Sequence, residues 1–160
     1  MDIAIRKATE RDYGDLCVII DQVDRIHRNA LPERFKRSDG PPRRREHIAT
    51  AIRSADIGLF VAEKESLLVG LVHVVIRDAP DIPILVPRRY AVVENLAVRE
   101  GHRRAGIGLA LMERAEKWAR AKGATSIELN VYAFNRAAQR FYRELGYEIL
   151  SQRMTRTLWS

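Results

Sequence analysis

Two glycines, Gly106 and Gly108, fall in what reads as the first turn of a helix, directly after two arginines and an apolar strand. The segment runs Glu94-Asn95-Leu96-Ala97-Val98-Arg99-Glu100-Gly101-His102-Arg103-Arg104-Ala105-Gly106-Ile107-Gly108. Glycine is a poor helix former, so a pair at a helix start needs a physical reason. A helix start presents backbone N–H groups without partners and the positive end of the helix dipole. At Gly106 and Gly108 no side chain stands between that backbone and an approaching anion. Arg103 and Arg104 add charge beside the turn, with Ala105 and Ile107 completing it. Strand, turn and helix start together predict an anion site suited to a pyrophosphate.

The rest of the chain supplies scaffolding for such a turn. Ile3 and Ile5 alternate with polar neighbours, which predicts a strand over 2–7. Thr9, with Asp12 three positions later, gives a looser form of the capping box. Tyr13, Leu16, Ile19, Ile20, Val23, Ile26 and Ala30 then follow at helical spacing. Leu31–Pro42, with its prolines and Ser-Asp-Gly, reads as a loop, and a helix follows from Arg43 to about Ala55. Gly58–Lys64 and Leu67–Arg77 read as a hairpin turning at Glu65-Ser66. Asp78–Pro87 is Pro-rich yet apolar. It reads as a covered connection, with a flap over an acceptor site as the functional alternative. Arg89–Val98 is a strand, and a helix spans Gly106 to Lys122 and stops at Gly123. Thr125–Tyr132 is a strand, Asn135 caps a helix to Leu145, and Tyr147–Leu158 supplies one or two last strands. This order predicts one α/β (α+β) domain over 1–160, a mixed and mostly antiparallel sheet of about six to seven strands flanked by about four helices.

Composition narrows the partners. Lysine and arginine exceed aspartate and glutamate by 28 to 21, a net charge of +7, which points to a polyanion. A phosphorylated cofactor and a nucleic acid both qualify. Arg43-Arg44-Arg45 reads as a solvated helix start, and no aromatic-interleaved basic platform accompanies it, which disfavours nucleic acid. No apolar run approaches the roughly 20 residues of a membrane span, and the first residues do not read as a signal peptide. Both place the protein in the cytoplasm. Cys17 lies among Leu16, Val18, Ile19 and Ile20 and reads as core filler. His27, His47, His73 and His102 show no ligand spacing, so no metal is expected.

Other phosphate turns fail on specific residues. Gly101 and Gly106 have Walker A spacing, but Ile107 and Gly108 stand where Lys and Ser/Thr are required. A Rossmann turn lacks its third glycine here, because Gly106-Ile107-Gly108 continues into Leu109-Ala110-Leu111. Arg103-x-x-Gly106-x-Gly108 after a strand resembles the coenzyme A turn of the GNAT superfamily of N-acetyltransferases. Asn135-x-x-Ala138-x-x-Phe141-Tyr142-x-x-Leu145-Gly146-Tyr147 resembles that family's next helix and its exit. The resemblance extends over nearly the whole chain.

The resemblance implies direct attack of an amine on the thioester of acetyl-CoA. It implies a splayed strand at Leu96, Ala97 and Val98, whose amides take the pantetheine arm and polarise the carbonyl. Asn135 and Ala138 would flank the same arm. Tyr142 is the candidate acid for the departing thiolate, since the ordinary phenol value of about 10 lies close to that of a thiol. Glu94 is the candidate base, acting through water. Its bland alternative is a solvated glutamate or one paired with an arginine. Family members that acetylate ribosomal-protein N-termini carry a glutamate five residues before the capping asparagine, where this chain has Asn130. His27, followed by Pro32 and Phe35, resembles the acceptor-side entry of some members. The acceptor itself, small amine or peptide, stays open. So does an acyl-CoA sensor without catalysis. A homodimer is compatible with the sequence, though no feature of it derives one.

Overall fold

Apolar alternation in the first residues becomes β1 (Ile3–Lys7), and the capping pair Thr9/Asp12 starts a short 3-10 turn leading into α1 (Tyr13–Ala30). The computed structural model describes residues 2–159. Contacts divide them into two compact units, one up to Asn130 and one from Val131 onward, each described by itself. In the first unit α1 is followed by α2 (Arg45–Arg53), β2 (Ile57–Lys64), β3 (Leu67–Asp78), β4 (Arg89–Val98), α3 (Ile107–Ala121) and β5 (Ile127–Leu129). The sheet has the order β1-β2-β3-β4-β5. All pairs are antiparallel except β4 with β5.

Strand alternation assigns the two faces. Leu59, Val61, Leu71 and Ala97 pack with Leu16, Ile19, Ile20, Ile48 and Ala51, so α1 and α2 cover one face. The alternate residues meet α3. A Cβ on Gly70 would come within 2.9 Å of Leu111, and one on Gly58 within 3.1 Å of Trp118. Larger residues at these two positions would push α3 off the sheet. The β2–β3 turn places both Glu65 (φ 49) and Ser66 (φ 66) in the left-handed region. A two-residue hairpin of type I′ requires this conformation even though neither residue favours it.

Asp12 is the buried charge among the described residues. Its carboxylate accepts from Arg6 Nη1 at 2.8 Å, Arg6 Nη2 at 2.9 Å and the Thr9 amide at 2.8 Å. Arg6 Nε also donates to Glu63 at 3.0 Å, which ties β1, the first turn and β2 together. Asp12→Ala should lower the free energy of unfolding by about 1–2 kcal/mol, since the part-exposed Arg6 loses two hydrogen bonds but keeps Glu63. Hydrogen bonds from Arg6 hold the Asp12 carboxyl below its usual value, against the opposing effect of burial. The stability it contributes is therefore complete above pH about 4 and lost as pH falls through the depressed folded value. Denaturant titrations at pH 3 and pH 7 should show the Asp12→Ala deficit shrinking at the lower pH.

Three expectations are corrected. The sheet has five strands rather than six to seven, because 147–159 forms no strand. Ile149, Leu150, Met154 and Leu158 stand exposed there, so apolar residues in the segment do not make it a strand. The strand expected over Thr125–Tyr132 narrows to Ile127–Leu129. Asp78–Pro87 is not covered: Ile84 is 88% and Val86 75% exposed.

Candidate active site

β4 changes character halfway along. Against β3 it pairs from Arg89 to Val98, but His73 pairs with Asn95 while Val74 pairs with Val93. Glu94 is therefore the extra residue of a β-bulge. Such a bulge bends the strand, increases its twist and re-aims the side chain. β5 reaches only Ala91, Val92 and Val93, so β4 has an open edge from Glu94 onward within this unit. Arg99 N donates to Val69 O at 2.8 Å. With the period of two, Ala97 also turns its amide to β3, whereas Leu96 and Val98 turn theirs to the open edge. Of the three amides singled out by sequence, two are thus free and one holds the strand in the sheet.

The turn beyond β4 is anchored before it opens. Arg99 Nε donates to Leu68 O at 2.7 Å, and the Glu100 amide donates to Gln22 of α1 at 2.9 Å. Gly101 (φ 86), Arg104 (φ 63) and Gly106 (φ 79) are all left-handed. Backbone of alternating handedness folds successive amides into a concave nest. The first helical bond runs from Ala110 N to Gly106 O at 3.1 Å, so the amides of Ile107, Gly108 and Leu109 have no partner within the helix. Arg103 folds back, its Nε donating to Val98 O at 3.1 Å. Arg104 and Ala105 complete the turn. The turn that the sequence singles out thus has left-handed residues and helix-start amides without intrahelical partners, and it follows the open edge of β4.

Glu94 is exposed, and its carboxylate accepts from Arg77 Nη2 at 3.0 Å. The bland alternative, a glutamate paired with an arginine, is thus present alongside the bulge. Next to it on β3, His73 has a buried Nε2 with no hydrogen-bond partner. An orphaned buried nitrogen costs about 1–3 kcal/mol. Burial is the main effect holding its imidazole below the usual value; Glu94 opposes it, while His47 and Arg43 add to it. Sequence reasoning passed over Arg77 and His73. The available signal was a lone histidine inside the otherwise apolar run from Leu67 to Ile76.

The remaining expected site residues belong to the second unit, built on α4 (Arg136–Glu144). Asn135 caps it, its side-chain oxygen accepting from Ala138 N at 3.1 Å. Gln139 Nε2 donates to the carbonyls of Tyr132 and Ala133, fixing the chain that enters the helix. Tyr142 packs edge-on against Phe141 and Tyr147, with ring centroids 5.1 and 5.7 Å away. Burial pushes its phenol up to about 12, away from the near-match with a thiol that the residue type alone suggested.

A profile of the acetyltransferase (GNAT) family matches residues 20–147. The chain belongs to this family. An N-alpha-acetyltransferase of Sulfurisphaera tokodaii is 30% identical over 134 residues, 81% of this chain and 74% of its own. A mutant form of the BH1408 protein of Bacillus halodurans is 27% identical with a TM-score of 0.93, covering 98% of this chain and 99% of that one. An aminoglycoside 6'-N-acetyltransferase of Acinetobacter haemolyticus, 16% identical, shares the fold with a TM-score of 0.75 over 98% of this chain and 99% of its own.

As a GNAT acetyltransferase the chain falls in a family that uses acetyl-CoA and amine acceptors. Its basic run is largely engaged within the fold. Arg43 pairs with Asp24 at 3.0 Å, and Arg45 lies over the Tyr13 ring at 4.3 Å. His27 packs edge-on against Phe35 with centroids 5.7 Å apart, joining α1 to the following loop. Cys17 is half-buried rather than core filler. Among the described residues no group of three or more His, Cys, Asp or Glu is placed to hold a metal, and no helix is long and apolar enough to cross a membrane.

Proposed function

We propose that this GNAT acetyltransferase moves the acetyl group of acetyl-CoA directly to a primary amine of a small molecule or peptide, with 1–160 acting as one catalytic domain. The bulge at Glu94, set where the free edge of β4 begins and leads into the α3 turn, carries the reading. The unpaired amides at Ile107, Gly108 and Leu109, with Arg104 beside them, take the pyrophosphate. Arg103 braces the turn through Val98. The amides of Leu96 and Val98 receive the pantetheine as an added strand and polarise the thioester carbonyl. Preorganised donors of this kind are worth about 3 kcal/mol. Asn135 and Ala138 line the arm from α4.

An ammonium with a pKa of about 10 must lose a proton before it attacks. Glu94 takes that proton through water, and acceptor binding displaces Arg77 from it. Tyr142 donates to the sulfur as the C–S bond breaks. The amine acceptor is best sought first among peptide α-amines, because the Sulfurisphaera relative is an N-alpha-acetyltransferase. Asn130, in place of a glutamate, argues against ribosomal-protein N-termini.

The Arg77 ion pair favours a second reading, an acyl-CoA sensor in which Glu94 is structural. Calorimetric titration of acetyl-CoA, followed by thiol release with a free-amine peptide, a lysine peptide blocked at its N-terminus, a polyamine and an aminoglycoside, separates the two. Binding with release supports the enzyme, binding without release the sensor, and no binding removes both. In the enzyme, Glu94→Gln should slow turnover about tenfold at pH 7 and progressively less toward pH 10, where the amine deprotonates unaided. A parallel pH–rate profile would take the base role from Glu94.

A further inference from the structure

α4 carries its charge on one side. At 3.6 residues per turn, Arg136, Arg140 and Arg143 fall within about 60° of arc. The three arginines are exposed, while Ala138, Phe141, Tyr142 and Leu145 gather on the opposite side and are half-buried. Arginines elsewhere in the chain hold carboxylates, as Arg6 holds Asp12, Arg28 Asp21, Arg43 Asp24 and Arg77 Glu94. Among the described residues none of the α4 arginines forms an ion pair, although Glu144 follows Arg140 by four positions. With Ala133, Gln139 and Glu144 they line one open hollow of about 640 Å³. Gln139 is held there by its Nε2, which donates to the carbonyls of Tyr132 and Ala133 and leaves Oε1 as an acceptor.

We propose that this face of α4 docks a single-stranded nucleic acid, a partner that acetyl transfer does not itself require. Three guanidinium groups spread over about 10 Å of helix axis suit consecutive backbone phosphates, to which arginine gives paired hydrogen bonds. Their planes also stack on bases that are not already stacked. The other polar groups of the hollow choose among anions. Glu144 repels an all-acidic ligand such as an acidic peptide. It accepts instead, together with Gln139 Oε1, from amino groups on base edges that a single strand leaves open. Ala138 and Tyr142, assigned to the cofactor and its sulfur above, stand about 100° or more from every arginine, so this face is distinct from theirs. The net charge of +7 is therefore available to a polyanion here rather than at Arg43-Arg44-Arg45, where Arg43 is held by Asp24 and Arg45 lies over Tyr13.

The test is fluorescence anisotropy of a labelled single-stranded RNA of about 16 nucleotides, titrated with the whole chain. Salt is varied from about 50 to 200 mM, over which phosphate contacts weaken steeply. Replacing all three arginines, Arg136→Ala with Arg140→Ala and Arg143→Ala, should weaken binding at least about tenfold at the lowest salt. The slope of log affinity against log salt should become shallower by about 2, since each phosphate contact to a single strand contributes about 0.7. A second variant removes three exposed charges elsewhere, Lys36→Ala with Lys117→Ala and Arg120→Ala, and should bind nearly as the parent does. Parent affinity in the α4 variant, or equal losses in both, overturns the proposal. So does tighter binding of the same sequence as a duplex, or arginine-dependent binding of a polyglutamate of matched charge, either of which gives the face to another partner. Circular dichroism and the Kd for acetyl-CoA should be the parent's in the α4 variant. A fall in acetyl-CoA affinity as large as that for RNA would make these arginines part of the cofactor site and overturn the separate face.

Discussion

Gly106→Val is expected to weaken acetyl-CoA binding at least about 100-fold while leaving the protein folded. Gly106 sits at φ 79 immediately before α3, where a β-branched residue is strained by about 1–3 kcal/mol. For a chain of this size that lowers the melting midpoint by roughly 2–12 °C. A Cβ built at Gly106 meets no atom within 4 Å, so nothing in the protein has to move to admit it. The added carbons stand in open space at the turn, where a pyrophosphate taken up by the proposed amides is expected to meet them. Loss of binding is thus decoupled from loss of fold. Gly106→Ala should fall between parent and valine in both respects. Gly70→Val offers the contrast, since its Cβ would stand 2.9 Å from Leu111 and would damage packing first. Calorimetry with circular dichroism on the same samples decides the matter. A folded Gly106→Val that binds acetyl-CoA with the parent's Kd would remove the turn from the cofactor site.

Local signals made the turn legible, and pairwise ones hid its neighbours. β4 spans the residues its alternation predicts, and α3 begins beside the glycines because left-handed backbone and a bare helix start both select for them. The bulge at Glu94 could not be read from one strand. It exists only in the register between His73–Val74 and Val93–Asn95, where two strands fall out of step. For the same reason sequence found Leu96, Ala97 and Val98 but not that Ala97 faces β3. Arg77 and His73 come to Glu94 through that pairing too. The C-terminal segment failed in the opposite direction. Its apolar residues suggested strands, yet apolar character alone does not build a strand, and Ile149 and Leu150 are left in solvent. The same blindness to burial made Asp78–Pro87 read as covered. Asn135 escaped it because a helix cap is a contact three residues away in sequence.

Tyr142→Phe is expected to cut kcat about 100-fold with the Kd for acetyl-CoA changed less than twofold, since only an O–H is removed. The pH behaviour sharpens the test. An acid works in its protonated form, and burial pushes this phenol up to about 12. Its contribution is therefore constant through pH 6–10 and is lost only as pH rises through about 12. Any alkaline fall in rate near pH 9 belongs to another group and should persist in Tyr142→Phe. The raised value also bears on mechanism. A thiol near 8.5 is a stronger acid than a phenol near 12, so full transfer to a finished thiolate runs uphill. The phenol can help only by hydrogen-bonding to the sulfur while the C–S bond is breaking, when the sulfur carries partial charge. The proton that finally reaches the thiolate then comes from the amine side, through Glu94 and water. Thioesters with better leaving groups gain less from that hydrogen bond, so the Tyr142→Phe deficit should shrink when acetyl-CoA is replaced by the acetyl thioester of a more acidic thiol. A deficit that stays constant across thioesters would mean that Tyr142 shapes α4 and does not act on the sulfur, and parent-like turnover with acetyl-CoA would remove it from the chemistry altogether.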